Sequence, residues 1–281
     1  MSRRTGGANR SSRKTKPSEV DEEVVVSLVN SLTSVKESQF LKIFMYGKTG
    51  CGSTYGALDI LRSPHFTGKL LYINTDVPQN LRDNINLLSD EEKERVIIPL
   101  DESGEYMRVS TPAQWKSIWK QLEAEYEDFE GCAGIVVDYI ENIYDGYIAH
   151  YDPQTPMKYG KPRKEFYKDV LAPLMKAKTN ALIIGKERPV YVDTGQGDQY
   201  KKHLGEYTSF LTGSLEKWQV DFNMILYRET VFRENRLKRD FITVFEKHKL
   251  GLKAFELEGA DSNLFGNIYE HYLVKQKELR G

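Results

Sequence analysis

Gly47, Gly52 and Thr54 are the residues whose spacing points most directly to chemistry. The run Phe44-Met45-Tyr46-Gly47-Lys48-Thr49-Gly50-Cys51-Gly52-Ser53-Thr54 reads as an apolar strand entering a glycine-rich loop that opens a helix. Gly47-x4-Gly52 followed by the hydroxyl of Thr54 fits G-x-x-x-x-G-K-[ST] everywhere except at the lysine, where Ser53 stands. Glycines in such a loop let backbone N–H groups turn onto a phosphate, and the positive end of the following helix faces the same anion. Ser53 keeps that cradle but lacks the ammonium that would reach the terminal phosphates. Lys48, second in the loop, is the one cation within it. Gly47, Lys48, Thr49, Gly50, Cys51, Gly52, Ser53 and Thr54 are therefore the candidate phosphate contacts. A glycine-rich turn without a ligand is the competing reading of the loop taken alone.

Two acids close apolar runs downstream. Gly68-Lys69-Leu70-Leu71-Tyr72-Ile73-Asn74-Thr75-Asp76 and Gly134-Ile135-Val136-Val137-Asp138 both read as buried parallel strands ending in a carboxylate. Ligands of open parallel sheets collect at the carboxyl ends of strands, which brings both acids toward the loop. Asp138 and the Thr54 hydroxyl are the expected holders of Mg2+, directly or through water. An apolar run closed by an aspartate is common; the loop upstream is what makes it informative.

Positioning these groups takes alternating strands and helices. Residues 18–35 carry Val24, Val25, Leu28, Val29 and Leu32 at helical spacing after a Ser-x-x-Asp start, which predicts an amphipathic helix packed on the core or on a neighbouring subunit. A strand over 40–46 enters the loop, and a helix continues from it to about Arg62. A short helix near 79–88 and an apolar segment over 95–100 follow. Thr111-Pro112-Ala113-Gln114 combines a capping residue, proline at the first helical position and Gln three places after the cap. The helix it opens puts Trp115, Ile118, Trp119, Leu122 and Tyr126 on one face, so the tryptophans are expected in the core rather than as a stacking platform. Residues 151–164 read as a basic loop. A helix with Phe166, Val170, Leu171, Leu174 and Met175 follows, then a strand over 181–185 running into Lys186, Glu187 and Arg188. The stretch 189–212 reads as a long irregular loop. Strands over 220–227 and 241–245 read as a hairpin with a charged connection, and 263–277 as a helix.

At 281 residues and 40% hydrophobic composition, the chain can bury a sizeable core. No apolar run approaches the roughly 20 residues that span a bilayer, so no membrane helix is expected. Two cysteines, Cys51 and Cys132, make no disulfide framework and fit a reducing compartment. The five histidines show no zinc-like spacing with cysteine, and no structural metal is expected. A net charge of −1 hides a basic start, in which Arg3, Arg4, Arg10, Arg13, Lys14 and Lys16 precede any acid. That Gly/Ser-rich tail is expected to be disordered, and it fits a nucleic-acid contact, an organellar transit peptide or a solvated tail. The expected plan is a tail over 1–17, a helix over 18–36 and one domain over 37–281.

Over residues 41–249 the order of these parts resembles the RecA-like family of P-loop recombination ATPases, especially the short phage and archaeal proteins associated with single-strand annealing. The loop is similar to a degenerate Walker A loop, and Asp138 to the Walker B acid. Tyr72-Ile73-Asn74-Thr75-Asp76 resembles the family's strand ending in a catalytic glutamate, which implies that Asp76 activates the attacking water. Asp is one methylene shorter, which puts the hydrolysis rate in question, because a base must lie within hydrogen-bond reach of its water. The strand over 181–185 resembles the one bearing the family's polar sensor, implying Lys186 or Glu187 in that role. Lys247-x-Lys249 is similar to the lysine pair that bacterial RecA extends across the filament interface to the neighbour's γ-phosphate. The resemblance thus implies a cation supplied in trans for the one missing at Ser53. Segments 151–164 and 189–212 stand where RecA-like proteins carry DNA-binding loops. Single-stranded DNA contacts are thereby implied for Lys158, Lys161, Arg163, Lys164, Lys201 and Lys202, charge following phosphates and tyrosines stacking on bases. Ordinary solvated loops are the plainer reading of both segments.

Leu71-Tyr72-Ile73-Asn74-Thr75-Asp76-Val77-Pro78-Gln79-Asn80 is also similar to the second acidic motif of the ParA/MinD partition ATPases, whose signature lysine would be Lys48. The chain has no proline-rich turn after Asp138, and its late hairpin ending in Lys-x-Lys suits the RecA-like order better.

The expected fold is α/β, a RecA-like P-loop NTPase domain. Its mostly parallel twisted sheet is flanked by helices and finished by a C-terminal antiparallel hairpin. The expected function is ATP- and Mg2+-binding with weak or partner-assisted hydrolysis, as a DNA-dependent ATPase acting on single-stranded DNA in recombination, repair or replication. A homo-oligomeric ring or filament, no membrane, and the cytoplasm of a bacterial, archaeal or virus-infected cell complete the expectation, with an organelle or nucleus left open. Two alternatives stand beside it. One is a pseudo-ATPase kept as a structural or assembly module, the other a ParA-like positioning ATPase on duplex DNA.

Overall fold

The structure is a computed structural model and describes residues 40–151, 160–192, 202–209, 224–233, 238–248, 256–258 and 268. The expected tail over 1–17, the helix over 18–36 and, apart from residue 268, the helix over 263–277 lie outside the described residues, as do Lys158, Lys201 and Lys249.

The chain opens with β1 (Lys42–Gly47), the loop, and α1 (Ser53–Leu58), which tightens into a 3₁₀ turn, Asp59–Arg62. Then come β2 (Lys69–Asn74), α2 (Pro78–Ile85), α3 (Asp90–Glu94), β3 (Val96–Ile97), α4 (Pro112–Glu125), β4 (Cys132–Asp138) and α5 (Ile140–His150). Next, α6 (Gly160–Phe166) passes through a π-helical turn, Tyr167–Leu171, into α7 (Ala172–Lys176). The last elements are β5 (Ala181–Val192), β6 (Lys202–Ser209), β7 (Met224–Arg233), β8 (Lys238–His248) and β9 (Glu256–Glu258).

Strand order is β3-β2-β4-β5-β1-β7-β8-β9, with β6 paired to β5. The strands from β3 to β7 in that order form a six-stranded, all-parallel sheet flanked by helices, an α/β arrangement compatible with Rossmann-like and P-loop-like folds. Strands β8 and β9 extend it antiparallel. A central parallel strand is covered on both faces, which is why β1 is apolar at successive positions. Phe44 and Tyr46 join one core layer with Trp115, Ile143 and Phe166, whereas Ile43 and Met45 join the other with Leu58, Leu81 and Tyr72.

In α4 the Thr111 hydroxyl accepts from Gln114 N (3.2 Å) and the Gln114 side chain accepts from Thr111 N (3.1 Å). The box fixes the helix phase, and Trp115 and Trp119 are buried and stacked 5.6 Å apart, as core residues. Lys42 is buried at the foot of β1. Its ammonium donates to the carbonyls of Leu174, Ala177 and Thr179 at 2.9, 2.8 and 2.7 Å, closing the end of α7.

Two expectations need correction, and one helix was not anticipated. Residues 140–150 form a helix whose Ile140, Ile143, Tyr144 and Tyr147 repeat at helical spacing, a signal that the strand ending at Asp138 overshadowed. Residues 160–166 are helical, so Lys161, Arg163 and Lys164 stand on α6 and not on a loop. The stretch from 189 is not wholly irregular either: β5 runs on to Val192 and pairs antiparallel with β6, which contains Lys202. The register of that pair shifts between Pro189 and Tyr191, as a residue without an N–H requires.

Candidate functional site

The loop leaves β1 at Gly47 and turns through Gly50 (φ 83°) and Gly52 (φ 71°), left-handed positions that glycine adopts without Cβ strain. Cys51 N donates to Lys48 O (2.9 Å), and Gly56 N donates to Gly52 O (2.8 Å), starting α1. That helix is only six residues long before it tightens, so its dipole is weaker than the sequence pattern implies.

The loop rests on a buried arginine. In register, Gly47 faces Lys186 on β5 and Arg228 on β7. Arg228, 3% exposed, donates from Nε to the Cys51 carbonyl (3.1 Å), and its guanidinium lies against Gly56. A Cβ at Gly47 would stand 2.0 Å from the Arg228 carbonyl oxygen, so this position admits only glycine in the backbone as it stands. Burial pushes the Cys51 thiol up, against the opposing charge of Arg228.

Asp138 ends β4 beside the loop. Thr54 donates from Oγ1 to its Oδ2 (3.1 Å), and Tyr72 donates from its hydroxyl to the same oxygen (2.6 Å). Oδ1 is buried and has no hydrogen-bond partner. Burial raises the Asp138 carboxyl to about 6; the Tyr72 and Thr54 hydrogen bonds and the Lys186 charge oppose that rise, and the Asp76 charge adds to it.

The next residue, Tyr139, has φ 56°, strained for a bulky side chain. Thr75 holds it there: its hydroxyl lies between the carbonyls of Asp138 and Tyr139, 2.7 Å from the latter, and accepts from Asn142 Nδ2 (3.2 Å). The Tyr139 hydroxyl reaches Ser53 Oγ (3.4 Å), and the Lys186 ammonium sits 4.2 Å from the centre of the same ring. Asp76 closes the cleft from β2, accepting from Asn80 Nδ2 (3.0 Å).

Together these groups line a cleft of about 610 Å³. Thr49, Gly50, Gly52, Ser53 and Thr54 line it from the loop and the start of α1, Asp76, Tyr139 and Lys186 from β2, β4 and β5 or the residues just after them, and Tyr55, Asn80, Asn84 and Leu87 from α1 and from α2 and its end. Gly47, the exposed Lys48 and the buried Cys51 do not belong to this lining.

Of the two candidates after the strand over 181–185, Lys186 enters the cleft and Glu187 does not. Successive strand residues point to opposite faces, and Glu187 meets the Tyr227 hydroxyl at 3.5 Å. Lys247 pairs with Ile225, itself level with Phe44, two strands from β1 and below the loop, so the backbone does not bring it to the cleft of its own chain. On α6, the Lys161 ammonium lies 4.7 Å from the Tyr151 ring.

Tyr72, Thr75, Tyr139, Glu141 and Arg228 are the site residues that sequence reasoning missed. Arg228 carried a signal, a cation directly after the apolar run Met224-Ile225-Leu226-Tyr227. Glu141 is buried, accepts from Lys186 N (2.5 Å), and is raised by burial to about 7. Among the described residues, no group of three or more His, Cys, Asp or Glu is placed to hold a metal by itself. No helix there is long and apolar enough to cross a membrane.

Comparison of the chain with models of known protein families and with curated proteins finds no match.

Proposed function

We propose that this chain is a nucleotide-binding protein of RecA-like architecture, closed by the antiparallel hairpin, that binds ATP with Mg2+ in the cleft between the 47–54 loop and Asp138. The observation that carries this reading is the Thr54–Asp138 contact with its buried, unpartnered Oδ1. A hydroxyl and a carboxylate are a fitting protein share for Mg2+, which keeps most of its octahedron for water and phosphate oxygens. When bound, the ion neutralises phosphate charge. The backbone of the loop would hold the phosphates, and Asp76, in the cleft lining just after β2, would orient a water and take its proton.

Single-stranded DNA is the proposed partner, in recombination, repair or replication, with the chain assembled as a ring or filament. The exposed lysines Lys161 and Lys164, one turn apart on α6 beside the half-buried Arg163, support that part, and Lys247 and Lys249 would serve a neighbour's site. The second reading, an assembly module without turnover, is favoured by Ser53, whose hydroxyl turns to Tyr139 where the loop pattern has an ammonium.

Titration calorimetry with ATP and ADP, with and without Mg2+, tests the reading. Micromolar, Mg2+-dependent binding supports it. Heat of dilution alone, for both nucleotides, favours the assembly module.

A further inference from the structure

Serine at position 53 removes a positive charge from the loop, yet the cleft holds an ammonium from the neighbouring strand β5. We infer that Lys186 is the cation that meets the terminal phosphates of the nucleotide, supplied within the same chain in place of the lysine absent at Ser53. The inference rests on the nucleotide reading of the cleft.

Topology puts Lys186 there. β5 lies between β1 and β4, so the residue at its cleft end emerges between the loop and Asp138. The register pairs Lys186 with Gly47, the first residue of the loop pattern. Its side chain lines the cleft together with Thr49, Gly50, Ser53 and Thr54. Its charge acts on Asp138 from the same side.

Geometry links the cation to the position of the absent one. The Tyr139 ring carries the Lys186 ammonium 4.2 Å from its centre, while its hydroxyl is 3.4 Å from Ser53 Oγ. One aromatic side chain therefore spans from the ammonium to the residue that replaces the loop lysine. Among the described residues Lys186 has no ion-pair partner within 4.0 Å, and its ring contact is a holding position that a desolvated phosphate outcompetes. A four-carbon stem lets the ammonium swing off the ring. Tyr139 is held in its left-handed conformation by Thr75, which keeps that ring between Ser53 and Lys186. The role differs from a trans lysine, because Lys186 acts in a monomer.

The test is calorimetry of MgATP, and of magnesium tripolyphosphate as a base-free probe. It uses the full chain and its Lys186→Met, Lys186→Arg, Ser53→Lys and Lys186→Met/Ser53→Lys variants, each checked for a native thermal transition. Lys186→Met is expected to weaken both ligands by about 10- to 100-fold, as for loss of a hydrogen bond to a charged group. Lys186→Arg should retain most of the affinity, and the double variant should recover it. ATP bound equally by the full chain and Lys186→Met overturns the role of Lys186 and leaves the nucleotide site standing. Binding by Ser53→Lys but not by the unaltered chain also overturns it, since Lys186 then fails to replace the lost cation. No binding by any variant, Ser53→Lys included, overturns the nucleotide reading itself.

Discussion

Thr54 donates to Asp138 over 3.1 Å across 84 residues of sequence, joining the first turn of α1 to the end of β4. Tyr72 donates to the same carboxylate oxygen, so the pair is locked on one side and Oδ1 is left buried without a hydrogen-bond partner. If the cleft takes MgATP as proposed, Thr54→Val and Asp138→Asn should each remove the Mg2+ dependence of that binding, weakening MgATP by about tenfold or more while leaving Mg2+-free binding nearly unchanged. Paired titrations with and without Mg2+ measure it, and a retained Mg2+ effect in either variant counts against this pair.

Gly47→Ala should destabilise the protein by about 1–3 kcal/mol or more, since its methyl would press on the Arg228 backbone and on the Cys51 sulfur, which stands 2.9 Å from the new Cβ. Guanidinium denaturation reads this directly. An unchanged midpoint would mean that β7 yields.

Arg228→Met should loosen the loop. The Cys51 carbonyl loses its buried donor, and the thiol beneath it, 2% exposed, becomes reachable. In a Cys132→Ser background, labelling of Cys51 should accelerate about 5- to 100-fold, matching the cost of an unmade buried hydrogen bond. An unaltered labelling rate would show that Arg228 does not brace the loop.

Stability should fall as pH rises from 4.5 to about 7. Burial raises Glu141 from its ordinary 4.5 to about 7, so in that window the folded protein keeps a proton that the unfolded chain has released. The stabilising contribution is complete below 4.5 and is lost as pH passes 7, a span of about 3 kcal/mol. Urea midpoints for the unaltered protein and Glu141→Gln across this range check it, and parallel curves would refute it.

If α6 follows a DNA backbone, Lys161→Ala/Lys164→Ala should flatten the salt dependence of single-stranded DNA binding by about 1.4 in log–log slope, some 0.7 per lost phosphate contact. Anisotropy titrations at several salt concentrations would detect it. A slope like that of the unaltered chain removes α6 from the interface.

The parts legible in sequence were those with a local cause. Loop glycines, the Thr111 capping box and apolar runs closed by Asp76 and Asp138 each announce themselves within a dozen residues. The residues that were not legible act through register. Arg228 reaches Cys51 only because β7 lies beside β1, and Tyr72 reaches Asp138 because Tyr72 pairs with Val136 on the neighbouring strand. Tyr139 meets Lys186 and Ser53 only after its backbone takes a left-handed turn that its residue type does not advertise. Lys186 and Glu187 were a single choice in sequence, and strand alternation resolved it.

The strand order carries a consequence for how the molecule is made. β1 is the first described strand to leave the ribosome, yet its neighbours are β5 and β7, whose pairing residues Ala181 and Met224 come far later in the chain. At a synthesis rate of about 5–20 residues per second, the apolar stretch Ile43-Phe44-Met45-Tyr46 waits on the order of 7–27 s with both edges bare, and about 9–36 s before β7 can cover the second edge. During that interval β2 and β4 can already pair, whereas Arg228 has not yet been translated. The 47–54 loop therefore takes its shape late in translation, and a ribosome paused before residue 224 would hold a chain most exposed to edge-to-edge aggregation at the strand that leads into the loop.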